Sequence, residues 1–108
     1  MTELRKLWKD TFPPIPEDEM ELITAAAGDK ALSEAACCFR LFRILHSLAR
    51  PGAVLMGDYC FGRFSAHLAA IDSVELTDAF ADFLKRDTLE SLDFGEYLKF
   101  VKRASLLV

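Results

Sequence analysis

Cys37, Cys38, Cys60, His46 and His67 are the side chains of this sequence suited to ligate a transition metal or to pair as nucleophile and base. Their spacing builds neither site. No C-x-x-C or H-x-x-x-H motif is present, and the neighbours Cys37 and Cys38 point about 100° apart on a helix. Cys60 and His67 stand seven residues apart, about two full turns. They share a helix face but sit about 10 Å apart, too far for proton transfer. Free cysteine is among the most buried residue types, so packing is the expected role of all three thiols. No metal, cofactor or catalytic residue is expected.

Asp58 is the most unusual acid. It lies in the apolar run Ala53 to Phe64, directly after Gly57. A carboxylate buried there needs a partner, since desolvating it costs several kcal/mol. Arg63, Arg40 and Arg43 are the candidates. No second acid stands one turn away, so a two-carboxylate catalytic pair is not expected. Asp58 therefore reads as an organiser of helix packing. Gly57 and Gly62 each cost about 1 kcal/mol in a helix interior relative to Ala. Two in one helix imply that another backbone approaches closely, in this chain or in a partner. Neither lies in the strand–loop–helix context of a phosphate loop.

The chain must position these residues within 108 positions, enough for one domain with one core. Hydrophobic residues make up 52% and include nine Phe, so apolar surface should remain for a partner, a lipid or a second copy. A net charge of −4 and a pI of about 5.1 argue against an electrostatic nucleic-acid binder. No run of 18 uncharged apolar residues exists, so a transmembrane span is not expected. The first residues lack the apolar centre of a signal peptide, and three cysteines read as reduced thiols; a cytoplasmic location is expected.

Residues 1–16 read as an N-terminal arm. It should open on a short amphipathic helix within Met1 to Asp10, with Leu4, Leu7 and Trp8 on one face, followed by the Phe12-Pro13-Pro14-Ile15-Pro16 turn. A helix should start at Pro16 or Glu17, with acids at its positive end, and stop at Gly28. Asp29 should cap the next, Lys30 to about Arg50, whose centre is apolar nearly all round and should be central in the bundle. Pro51-Gly52 breaks the chain. Further helices should cover Ala53 to Ile71, then a segment capped by Asp72 or Ser73 and running to about Arg86, then one opened by Asp93 with Glu96 three residues on. No strand-like alternation stands out. The expected fold is all-α, an antiparallel bundle of about five helices in a single domain.

The run Ala53-Val54-Leu55-Met56-Gly57-Asp58-Tyr59-Cys60-Phe61-Gly62-Arg63-Phe64 resembles the "AVLAGDYLFARAF" helix of trans-isoprenyl diphosphate synthases. Glu96 to Leu106 is similar to that family's "EEYLEIIKRKTASL" helix, in the same order along the chain. The resemblance covers about Ala35 to Val108 and implies part of that family's all-α fold. Its enzymes elongate allylic diphosphates, holding Mg²⁺ on two DDxxD motifs. This sequence has no DDxxD, and Phe39 to Ala49 offers Arg40, Arg43 and His46 but no carboxylate. The family's diphosphate-binding Lys-Thr pair falls on Ala104-Ser105.

This pattern resembles the non-catalytic small subunit of heterodimeric hexaprenyl and heptaprenyl diphosphate synthases, which serve menaquinone side-chain synthesis. The resemblance implies that a DDxxD-bearing catalytic partner binds the Mg²⁺. It implies a partner interface of Val54, Leu55, Asp58, Tyr59, Phe61, Phe64, Leu68, Leu76, Phe80 and Phe83. It further implies that Phe61 and Phe64 wall the product tunnel and so help to set product length. Two other readings stand beside it. One is a self-associating helical module, a homodimer when alone. The other is a carrier that holds a hydrophobic ligand in Phe-lined space between helices.

Overall fold

The computed structural model describes residues 1–108 as six α-helices and a short 3-10 turn, with no strand. They are α1 (Thr2–Leu7), α2 (Glu17–Ala27), α3 (Lys30–Ser47), α4 (Pro51–Ile71), α5 (Val74–Glu90) and α6 (Phe94–Ala104). The all-α expectation holds. The N-terminal arm contains a helix of its own, α1, which docks through buried Leu4 and through an Arg5–Glu17 ion pair at 2.7 Å. Trp8 Nε1 donates to the Pro13 carbonyl at 2.8 Å and closes the proline turn.

Helix starts follow the side-chain caps. Asp29, Ser73 and Asp93 accept the backbone N–H groups of Leu32, Leu76 and Glu96 at 2.9, 3.1 and 2.9 Å. Asp72 instead takes the left-handed conformation that ends α4, at φ +57°. Three boundaries differ from the sequence reading. Helix α3 stops at Ser47, because Ala49 turns to φ +54°. Pro51 opens α4 rather than breaking ahead of it, since its missing N–H is one of the unpaired donors of a first turn. Helix α5 continues to Glu90, where the Asp87 carboxylate accepts the Leu92 N–H at 3.0 Å beyond the turn.

Helix α3 is the axis of the fold. Ten of its residues are buried, on all its faces. Helix α2 packs antiparallel to it through the pairs Glu19–Arg40, Met20–Cys37 and Thr24–Ser33. Helix α4 returns along it, with Phe39, Phe42 and His46 meeting Phe64, Phe61 and Asp58 in reverse order. Helices α5 and α6 cover a third side, where Phe80 and Phe83 meet Phe100. Phe39 sits at the centre, its ring centroid 5.2 to 6.2 Å from those of Phe42, Phe64, Phe80, Phe83 and Tyr97. Such offset and edge contacts add about 0.5–1.5 kcal/mol per pair beyond area burial. Tyr97 donates its hydroxyl to the Ala36 carbonyl at 2.6 Å, fixing α6 on α3. Burial pushes that phenol well above its usual range.

Two half-buried ion pairs lock the rim of the core. Arg40 donates to Glu19 at 2.8 Å and lies over the Phe94 ring, while Arg43 donates to Asp87 at 2.7 Å. No helix is long and apolar enough to cross a membrane.

Candidate functional site

Gly57 and Asp58 form the crossing of α3 and α4. A Cβ at Gly57 would collide with Cδ2 of His46 and lie 2.9 Å from its Nε2 and 3.4 Å from Leu45 Cβ. Gly57 is thus the position at which His46 is laid flat across α4. The imidazole reaches Asp58 at 3.0 Å, Nε2 to Oδ1. A carboxylate only accepts, so Nε2 carries the proton and donates. The Phe42 ring packs edge-on against the imidazole, with ring centroids 4.6 Å apart.

Two expectations need correction here. Asp58 is not buried: its side chain is 61% exposed, at the edge of the crossing. Its partner is His46 rather than Arg40, Arg43 or Arg63; Arg40 and Arg43 are engaged by Glu19 and Asp87 on other sides of α3. The close approach expected at both glycines occurs at one. Gly62 has no atom of the rest of the chain within 4 Å of a Cβ built on it.

The outer face of α4 is consequently open. Leu55, Tyr59, Gly62, Ala66 and Ala69 follow at helical spacing and are all exposed, Leu55 at 71% and Tyr59 at 37%. Val54 and Phe61 are half-buried beside this stripe. The other residues expected at the interface have a different place. Phe64, Leu68, Leu76, Phe80 and Phe83 are buried in the chain's own core, because α5 folds back over α3 and draws their side chains inward. The ten residues therefore divide into an outward set, Val54, Leu55, Asp58, Tyr59 and Phe61, and an inward set.

The two sets meet at a groove of about 340 Å³ between α4 and α5. Its floor is Phe39, Phe64 and Phe80. Phe61, Ser65, Leu68 and Ala69 form the α4 wall, and Thr77, Ala81 and Leu84 the α5 wall. No charged side chain lines it. The groove was not legible in the sequence, because it depends on how far α4 and α5 splay. The alternation of large and small residues at 61, 65, 68 and 69 was its one available signal.

The groups with potential for chemistry are dispersed. No three or more His, Cys, Asp or Glu side chains come together as a metal site. All three cysteines are free and buried. Burial pushes the Cys37 thiol up, and those of Cys38 and Cys60 up to about 12, which leaves them protonated and unreactive at neutral pH. His67 Nε2 is shielded and makes no hydrogen bond, and its loss of water lowers the ring's affinity for a proton. It lies on the same face of α4 as Cys60, seven residues further on, with Glu34 and Arg63 nearby.

No protein-family model, no curated protein and no solved structure matches this chain.

Proposed function

We propose that this chain is a non-catalytic subunit of a heterodimeric medium- or long-chain prenyl diphosphate synthase. It docks on a DDxxD-bearing catalytic partner in the cytoplasm and contributes to product-length control in menaquinone side-chain synthesis. One observation carries the reading. The helix that bears the resemblance, α4, keeps an apolar face of large and small residues clear of its own fold. Leu55, Tyr59 and the open Gly62 suit close approach by a partner helix, with the exposed Asp58 one turn from Leu55 and Gly62 at the edge of the patch. The mechanism is indirect: the partner holds Mg²⁺ and both substrates, while Phe61 and Phe64 wall the growing chain. Reconstitution with a DDxxD-bearing synthase from the same host tests this. Phe61→Ala or Phe64→Ala should lengthen the product distribution; an unchanged distribution would remove both residues from the tunnel wall.

The same open face supports a second reading, self-association through α4. Gly62 would then let two copies of the helix cross at close distance. Light scattering on the purified chain separates the two. A stable dimer that persists in the presence of the synthase favours the second.

A further inference from the structure

We infer that the joint outer face of α2 and α6 is a weak self-association surface, which takes a second copy of this chain turned end for end. Helix direction carries the argument. Both helices run antiparallel to α3: Glu19 and Thr24 meet Arg40 and Ser33, while Phe94 and Tyr97 meet Arg40 and Ala36. They therefore pack side by side and parallel to each other. Their dipoles add rather than cancel, and the acids of α2's first turn and the bases of α6's last turn collect at opposite ends of one face. Glu17, Glu19 and Lys99 are paired within the chain, with Arg5, Arg40 and Glu96. Asp18 and Lys102 are exposed and make no such pair.

The register is self-complementary. Arg40 contacts both Glu19 and Phe94, which sets Leu22 about level with Leu98. Asp18 lies four residues before Leu22 and Lys102 four residues after Leu98, each about 6 Å from that level in opposite directions. A two-fold axis at the level of Leu22 and Leu98 lays α2 of one copy over α6 of the other. It sets Leu22 against Leu98, Ala25 against Gly95 and Asp18 against Lys102, each twice. It also opposes the added dipoles of the two copies. Leu22, 52% exposed, stands at the centre of the face with the charges toward its ends, as in an interface with an apolar middle and a polar rim. Two adjacent helices present a face about 20 Å wide, and the matched stretch is about 16 Å long. That is about 320 Å² per copy, less than half of what a stable interface buries, so the dimer is a weak one. The surface lies on helices other than α4 and requires no catalytic partner.

The test is sedimentation equilibrium of the full-length chain from about 10 μM to 1 mM, the span of a weak contact, with circular dichroism confirming the helix content of each variant. The expected result is a monomer–dimer equilibrium that weakens in about 1 M salt. Asp18→Lys and Lys102→Glu each set like charges opposite one another twice, and each should weaken the dimer at least about tenfold. Mixed in equal amounts, those two variants have every charge matched again and should form a one-to-one dimer. Leu22→Glu should leave a monomer, and Leu55→Glu, on α4, should change nothing. A monomer up to about 1 mM in low salt, a mixture that fails to pair, or a dimer indifferent to Leu22→Glu would each overturn the inference. A dimer dissolved by Leu55→Glu and kept by Leu22→Glu belongs to α4 and overturns it too. None of these results bears on recovery of a synthase, which tests the subunit reading separately.

Discussion

Replacing Gly57 by Ala sets two effects of known size against each other. Alanine is favoured over glycine in a helix interior by about 1 kcal/mol, so propensity alone makes Gly57→Ala stabilising. The structure reverses the sign. The new methyl would occupy the space of the His46 ring, so the ring, 31% exposed, would have to turn out of its contacts with Phe42 and Asp58. Overpacking of this kind costs about 1–3 kcal/mol. The hydrogen bond from His46 to the exposed Asp58 would be lost with it, a further effect of at most about 1 kcal/mol. Set against the gain of about 1 kcal/mol, these costs leave a net destabilisation of about 0–3 kcal/mol, with a fall in Tm of roughly 4–8 °C for each kcal/mol in a chain near 100 residues. Thermal and urea unfolding followed by far-UV circular dichroism would measure it. Gly62→Ala is the internal control, because a Cβ there meets nothing, and it should stabilise the isolated chain by about 0.5–1 kcal/mol. His46→Ala should relieve the clash, so the double variant should unfold later than the two single losses summed would give. If Gly57→Ala proved as stabilising as Gly62→Ala, the account of the α3–α4 crossing would be refuted.

Two other predictions concern the core. Tyr97→Phe removes the buried donor to Ala36 and should cost about 1–2 kcal/mol in urea unfolding, with the helical signal of the native state unchanged. The thiols of Cys38 and Cys60 are raised by burial from an ordinary value of 9.0 to about 12. The folded chain thus holds protons that the unfolded chain releases. The stability they contribute is whole below about pH 9 and falls as the pH rises toward 12, by up to about 1.4 kcal/mol per pH unit for each thiol. Equilibrium unfolding between pH 7 and 11 should show this decline, with a shallower slope in Cys38→Ala or Cys60→Ala.

The legible part of this fold is the part encoded locally. Asp29, Ser73 and Asp93 could be read as caps because each needs only its own turn to act. The apolar circumference of α3 implied its central place because no solvated face could be drawn on it. What escaped reading depends on pairing between helices. Asp58 meets His46 because the antiparallel pairs of α3 and α4 are symmetric about residues 51–52, as Phe39–Phe64 and Phe42–Phe61 are, and that register is set by where α4 begins rather than by any local signal. The apolar residues of α4 and α5 looked alike in sequence, yet Phe64, Phe80 and Phe83 turn inward while Leu55 and Tyr59 turn outward. A helix apolar on most sides does not declare which side its own chain will cover. The same ambiguity hid the groove, whose width is a property of two helices together.

The central claim is that the outward face of α4 docks on a catalytic prenyl synthase. It is tested most directly by affinity capture of the tagged chain from its native host, run beside a Leu55→Glu, Tyr59→Glu variant. Both positions are exposed, so the substitutions should leave Tm within a degree or two of the parent. The account predicts that the parent chain recovers a DDxxD-bearing synthase in about one-to-one amount and that the variant recovers none. Recovery of the chain alone, from cells shown to contain that synthase, would contradict it, as would equal recovery by the variant.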